Sequence, residues 1–303
     1  MSMPTWITER LPDMTRSQFD RWQQLFEERT GNHIGWGHRS ILQAGVVRRM
    51  RELGINEHDS YLELVNRPSS NMEWARLIEY LTVRETRFFR HLPSYDTAQE
   101  FIASLLASDR TRPIEAWSVG CSTGEETWSM AMLLSQMVSR QDRVIPFTVT
   151  GTDISLEALA HARRGVYSNS RLFGLDTALT DRFFQSVGSR EVSICPRLKE
   201  RVCFTRVNVL NLDRAPMGNM DLIFCQNLLI YFRRWRRITI IEQLVERLAP
   251  GGLLVLGPGE ISQWSHPDLE PVGCEQVLAF RKKAQTAREK LLNSFSAMKA
   301  REE

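Results

Sequence analysis

A chain of 303 residues, 42% hydrophobic and 25% charged, has an ordinary globular balance, long enough for two domains and a substantial core. Its net charge of +3 is too mild a basic excess to demand a nucleic-acid partner. No apolar run approaches the ~18 residues of a membrane span, and the N-terminal MSMPTWITERLPDM lacks the apolar region of a secretory signal. The 5 cysteines (Cys121, Cys195, Cys203, Cys225, Cys274) are odd in number and form no C-x-x-C pair. They fit reduced thiols, and a cytoplasmic location is expected. The 6 histidines are dispersed, so no metal site is expected.

Residues 13 to 90 carry helical periodicity only. Thr15-Arg16-Ser17-Gln18 resembles a capping box that opens a helix through Phe19, Trp22, Leu25 and Phe26. A second helix over about 38 to 53 sets Ile41, Leu42, Val46, Val47 and Met50 on one side, carries Arg39, Arg48, Arg49 and Arg51, and stops at Gly54. A third begins near Asp59. After the loop Arg67 to Asn71 a fourth carries Trp74, Leu77, Ile78 and Leu81. From about 92 the pattern alternates between helices and short apolar strands. A helix at 95–108 precedes the strand around Ile114 to Val119, and further strands are expected at Ile145–Asp153, Val202–Val207, Met220–Cys225, Leu253–Gly257 and Val277–Phe280. Ser155 caps a helix from Leu156 to Arg164, and another helix spans about 234 to 249. The class is therefore α/β: a doubly wound, mostly parallel, Rossmann-like sheet behind an all-α N-terminal domain. Residues 166 to 200 break the alternation with more polar sequence. The expected division is 1–90 helical, 91–283 catalytic with a small inserted subdomain at about 166–205, and 284–303 a charged tail.

The most informative stretch is 113 to 131, PIEAWSVGCSTGEETWSMA. An apolar strand meets the small-residue turn Gly120-Cys121-Ser122-Thr123-Gly124, and a helix follows with Thr123 as its expected N-cap. Strand, glycine turn and helix make a nucleotide-type pocket, because glycine admits close approach and a helix start offers free N–H groups. Glu125 and Glu126 stand where a phosphate would want only donors, so a ligand with positive charge is indicated. Asp153 ends the next strand, where an acid either accepts ribose hydroxyls or simply forms a turn. The strand 221 to 225 stops at Gln226-Asn227, with Tyr231-Phe232 beyond as pocket or core aromatics. Arg90 follows Phe88-Phe89 as a ligand-facing guanidinium or an interdomain ion pair. The basic run Arg233-Arg234-Trp235-Arg236-Arg237 is better taken as a solvated helix start than as a contact surface.

Taken together these segments resemble the CheR family of bacterial chemoreceptor glutamate O-methyltransferases over about residues 15 to 282. The matching stretches are Thr86 to Arg90 (family T-x-F-F-R), Cys121 to Glu126 (A-S-T-G-E-E), Thr152-Asp153-Ile154, Val207-Asn208-Val209, Cys225 to Phe232 (C-R-N-x-x-I-Y-F) and Ala249 to Leu253. The resemblance implies S-adenosylmethionine as cofactor, S-adenosylhomocysteine as product, and the cytoplasmic helical region of a chemoreceptor as partner, with a monomeric enzyme and no nucleic acid. It also implies residue roles. Glu126 holds the amino group of the methionine part and Asp153 the ribose, with Gly120 in the turn beneath. Asn208 and Val209 flank the adenine, Thr86 and Arg90 close the pocket, and Gln226 and Asn227 lie beside the cofactor. Tyr231 and Arg90 face the transferring methyl.

Departures from the pattern are informative. Arg84 stands at the family's Asn position in the cofactor set, and Gln226 replaces an Arg, which removes a charge. The loop Ser186 to Val192 is short and lacks the Gly-Pro-His pattern of members that dock on a receptor's terminal pentapeptide, so recognition without that tether is expected. The basic second helix suits an acidic receptor helix through steering. Two other readings are a same-fold methyltransferase for RNA or a small molecule and a weakly catalytic docking module.

Overall fold

Thr15 starts the first helix as its sequence predicts. Its hydroxyl accepts the Gln18 N–H (3.2 Å) while the Gln18 side chain accepts the Thr15 N–H (3.0 Å), a reciprocal box at the head of α1 (Arg16–Thr30). The computed structural model describes residues 13–108 and 111–284. The expected tail beyond 284 and residues 1–12 lie outside the described residues. Helices α2 (Arg39–Leu53), α3 (His58–Asn66) and α4 (Asn71–Leu81) complete the first unit. Its core holds Phe19, Trp22, Phe26, Leu42, Val46, Met50, Tyr61 and Ile78, each worth roughly 1.5–3 kcal/mol of burial for the aliphatic and Phe side chains.

The second helix departs from its expected solvent-facing basic character at Arg49, which is 6% exposed. Position 49 falls on the stripe of Leu42 and Val46, so the helical period turns it inward. Its guanidinium forks onto Glu73 (2.7 and 2.6 Å) and reaches Glu52 (2.7 Å), and the Tyr61 hydroxyl donates to Glu73 as well (2.8 Å). Arg49 is thus an internal anchor and not a steering charge. Arg48, its side chain 69% exposed, lies over the Tyr80 ring. Ile41, expected on the buried side, is exposed.

Helix α5 (Leu92–Leu106) leads into β1 (Ile114–Val119), α6 (Glu125–Val138), β2 (Phe147–Asp153) and α7 (Leu156–Arg164). An insert follows with β3 (Val166–Ser168), α8 (Thr177–Phe183), β4 (Phe184–Val187), β5 (Glu191–Ile194) and the short α9 (Pro196–Lys199). The chain then returns through β6 (Val202–Arg206), β7 (Met220–Cys225), α10 (Arg234–Arg247), β8 (Leu248–Leu256), β9 (Leu269–Val272) and β10 (Leu278–Lys282). The main sheet is 7-stranded in the order β6-β2-β1-β7-β8-β10-β9, and the insert forms its own 3-stranded sheet, β3-β5-β4. The strands β6, β2, β1, β7 and β8 pair in parallel, and β10 runs antiparallel to both of its neighbours. Every residue of β7 is buried, as a central strand covered on both faces requires.

Two strand boundaries differ from the periodicity. β8 begins at Leu248, because Leu248 already pairs with Met220 before a register shift carries the chain past Pro250-Gly251-Gly252. β9 has no clear alternation and exists only because β10 offers it an edge. Among the described residues no helix is long and apolar enough to cross a membrane.

Arg49→Ala should lower the unfolding free energy by about 3–5 kcal/mol, since it strands a largely enclosed Glu73, its side chain 13% exposed, without its cation. Arg48→Ala should change it by less than about 0.5 kcal/mol. Urea denaturation followed by circular dichroism separates the two, and similar small losses would refute the anchor role.

Candidate functional site

β1 has β2 on one side and β7 on the other. The connections after β1 and β7 leave in opposite directions, to β2 and to β8, and a crevice opens between them at the carboxyl ends of the strands. The turn after β1, Asp153 at the end of β2, Asn208-Val209 after β6 and Gln226, Asn227, Leu228 and Tyr231 after β7 all line one cavity of about 1210 Å³, part of it open to solvent. The helical unit forms the opposite wall through Phe26, Thr30, His33 and Leu81. The junction segment adds Glu85, Thr86, Arg87 and Arg90.

The glycine turn is tightly laced. The Gly120 and Cys121 N–H groups donate to Thr152 O (2.8 and 2.9 Å), and the Ser122 N–H donates to Asp153 Oδ2 (2.8 Å). Gly120 has φ 73, and a Cβ there would stand 2.9 Å from Leu228. Gly124, at φ 98, caps α6, and a Cβ on it would sit 2.7 Å from that of Ala162. The expected N-cap Thr123 is therefore displaced by one residue: its hydroxyl donates to Glu125 (2.6 Å) instead.

The two carboxylates that open α6 part company. Glu125 is buried away from the cavity, against Thr123 and, at 3.8 Å, Arg171 of the insert. Glu126 lines the cavity, and its Oε1 accepts the Ser118 hydroxyl (2.8 Å). Burial pushes its carboxyl up to about 8. The Ser118 hydrogen bond opposes that shift, the Glu260 carboxylate adds to it, and Arg90 opposes it. Glu126 therefore holds a proton near neutrality until a cation is brought beside it. Asp153 is also raised by burial, against which the Ser155 and Ser122 N–H groups work. Its Oδ1 accepts the Ser155 N–H (2.9 Å), and each oxygen retains accepting capacity.

Of the residues singled out from sequence, Gly120, Glu126, Asp153, Asn208, Val209, Thr86, Arg90, Gln226, Asn227 and Tyr231 meet in this cavity. Several carry structural duties too. Asn208 Nδ2 donates to Arg29 O (2.8 Å) across the domain seam. Gln226, 8% exposed, spends its amide on Ser94 Oγ (2.9 Å) and Leu256 O (3.2 Å), so it is built into the fold. Arg90 donates to Glu85 O (3.0 Å) and forms no ion pair among the described residues, so its guanidinium belongs to the cavity and not to an interdomain pair. Tyr231 is half-buried at the cavity wall, and Phe232 both packs in the core and lines the cavity. Arg84 does not reach the cavity. It is drawn to Glu79 (2.7 Å) and Glu157 (3.0 Å), an ion pair between α4 and α7.

Sequence reasoning passed over Ser122, whose Oγ is buried on the cavity wall without a hydrogen-bond partner. It also missed Glu260, whose position just beyond the end of β8 was the available signal.

The folded value of Glu126 lies above the ordinary ~4.3 of an unfolded glutamate. Its contribution to stability is therefore fully present below that ordinary value and lost as pH rises from there through about 8. Ligand-free Glu126→Gln should gain thermal stability relative to the parent between pH 6 and 9, and a pH-independent difference would contradict the buried carboxyl.

Residues 17–82 match the family described as CheR methyltransferase, all-alpha domain, and residues 84–296 match CheR methyltransferase, SAM binding domain. A chemotaxis protein methyltransferase of Klebsiella aerogenes is 32% identical over 84% of this chain and 86% of its own length. One from Escherichia coli K12 is 32% identical over 84% of this chain and 87% of its own. A Pseudomonas aeruginosa protein named as a probable biofilm formation methyltransferase is 30% identical over 89% of this chain and 63% of its own. Both domains, matched in order over this span, show that the chain belongs to the CheR methyltransferase family and is an S-adenosylmethionine-dependent methyltransferase.

Proposed function

We propose that this chain methylates glutamate side chains on the cytoplasmic helical region of a chemoreceptor, yielding methyl esters for adaptation in a chemosensory pathway. The observation that carries the reading is the polarity of the cavity. Carboxyls of Glu126 and Asp153 stand at the glycine turn, and the cation of Arg90 with the Tyr231 hydroxyl completes the wall. The crevice suits a cofactor that is cationic at one end and a nucleoside at the other. The unpartnered Ser122 Oγ and the spare lone pairs of Asp153 can take hydroxyl partners.

When bound, S-adenosylmethionine supplies a sulfonium-activated methyl group. Glu126 would hold its ammonium as a carboxylate, releasing its proton to solvent, Asp153 and Ser122 would take the ribose, and Asn208 and Val209 would bound the adenine side. Arg90 and Tyr231 orient the incoming carboxylate. An unperturbed glutamate titrates near ~4.3 and is already an anion at neutral pH, so no strong base is needed. Cation and anion meet and charge diminishes, so exclusion of water favours the transfer and the chain's main task is alignment. Gln226 supplies no charge at this corner, and its bonds to Ser94 and Leu256 support a structural part.

The direct test is labelled methyl transfer to receptor-containing membranes followed by mild base. Release as methanol supports a glutamyl ester, whereas an alkali-stable product would place the activity on nucleic acid or a small molecule. Arg90→Ala should lower transfer by about 10²-fold or more, as loss of a positioning group does, while leaving cofactor affinity within about threefold, a difference below 1 kcal/mol. Parallel losses by calorimetry would remove its role.

The β4–β5 hairpin turns through Gly188-Ser189-Arg190 alone. So short a connection supports recognition without a pentapeptide tether. A receptor C-terminal pentapeptide titrated to about 100 μM should show no heat of binding; an isotherm at micromolar Kd, about −8 kcal/mol, would overturn this.

A further inference from the structure

Tyr231 sits in a single turn of 3-10 helix (Leu229–Tyr231), entered through Asn227 at φ 58. A short loop with a left-handed non-glycine residue holds its shape only where its surroundings over-determine it. Two charged side chains do this here. Glu260 is 0% exposed. Its Oε1 accepts the Leu229 N–H (2.7 Å) and its Oε2 accepts the Gly257 N–H (2.7 Å). Arg237, near the start of α10, donates to Phe232 O (2.8 Å), Glu260 O (2.8 Å) and Ile230 O (3.3 Å).

The expected solvated helix start at 233 to 237 holds for Arg233, Arg234 and Trp235, which are exposed, and fails at Arg237. Arg233 pairs with Glu27 (2.6 Å) and Arg234 donates to Ser262 O (2.9 Å), while Arg237 turns back into the loop. The chemistry is complementary. A carboxylate only accepts and meets the loop's N–H groups, and a guanidinium only donates and meets its carbonyls. The anion grips the turn before Tyr231 and the cation grips it on both sides of Tyr231. Neither side chain lines the cavity.

We propose that Glu260 and Arg237 are positioning residues that fix the Tyr231 hydroxyl against the reacting carboxylate, so that the transfer rate depends on two side chains that touch neither cofactor nor substrate. The proposal rests on the role given to Tyr231 above, and the experiment reads that role separately.

Methyl transfer to receptor membranes, cofactor affinity by calorimetry and thermal stability are measured for Tyr231→Phe, Glu260→Gln, Arg237→Ala and Arg237→Lys. The two doubles, Glu260→Gln and Arg237→Ala each in the Tyr231→Phe background, are measured alongside. Glu260→Gln places an amide N–H against a backbone N–H and removes one acceptor, and Arg237→Lys keeps the charge but loses the fork. Tyr231→Phe, Glu260→Gln and Arg237→Ala should each lower kcat about tenfold, with Arg237→Lys between Ala and the parent and cofactor Kd within about twofold throughout. In the Tyr231→Phe background either substitution should cost less than about twofold more, since groups that act through one another are not additive. Multiplicative losses in the doubles, or cofactor Kd rising in step with the fall in kcat, would overturn the proposal. Arg237→Lys, which keeps a donor to the carbonyls, settles the matter if Glu260→Gln does not fold. An undiminished Tyr231→Phe overturns both the role of Tyr231 and this proposal, whereas failure of the parent to methylate receptor membranes sinks the function itself.

Discussion

The carboxyl of Glu126 is held out of water at the end of β1 with one hydroxyl for company, and much of the structure answers to that burial. An isolated charge in such a place is unfavourable, so the group keeps its proton until a cation arrives. The site is thereby selective by electrostatics before any shape is considered. Only a cationic ligand gains the ion pair that ionises the carboxyl; an anionic nucleotide or a neutral nucleoside does not. The glycine turn, which by geometry alone suits phosphate, is converted by this residue into a receptor for a sulfonium amino acid.

The same desolvation requires a lid, and the helical unit provides it through a specific seam. Asn208 reaches the last carbonyls of α1, and the His33 N–H donates to Tyr231 O (2.7 Å). Asn32 and Phe232 form a β-bridge between the two units. On the other flank Glu79 of α4 accepts the Leu156 N–H (2.9 Å) and the Ser155 hydroxyl, capping α7 from outside its own domain. Because Ser155 N–H also binds Asp153, the cap on α7 and the ribose acid share one hydrogen-bonded corner. The insert joins the same arrangement. Tyr167 donates to Thr123 O (2.7 Å) and Arg171 to Thr86 O (2.8 Å), so three parts of the chain brace the glycine turn and the junction.

Local grammar carried far. The capping box at Thr15, the cap at Ser155 and the apolar run of β7 depend on neighbours within a few residues, and each forms where its pattern indicates. The glycine turn and Asp153 were legible because a strand end followed by Gly or Asp has few conformational alternatives. Roles given to single arginines fared worse. Arg49, Arg84, Arg233 and Arg237 look alike in sequence, yet one anchors a core, one bridges two helices, one crosses the domain seam and one clamps a loop. A long flexible cation takes its meaning from whichever acid or carbonyl the fold brings within about 3 Å.

The sequence by itself determined the order of helices and strands, the position of the crevice at the strand ends and the cationic character of its ligand, since these follow from periodicity, turn chemistry and charge type along short stretches. Only the tertiary structure decided that Glu125 is buried against Thr123 and the insert, that Gln226 is bonded into the fold while Arg90 stays unpaired by any carboxylate among the described residues, and that Glu260 and Arg237 hold the loop of Tyr231. Those outcomes depend on desolvation and on hydrogen bonds between residues distant in the chain, which no local pattern encodes.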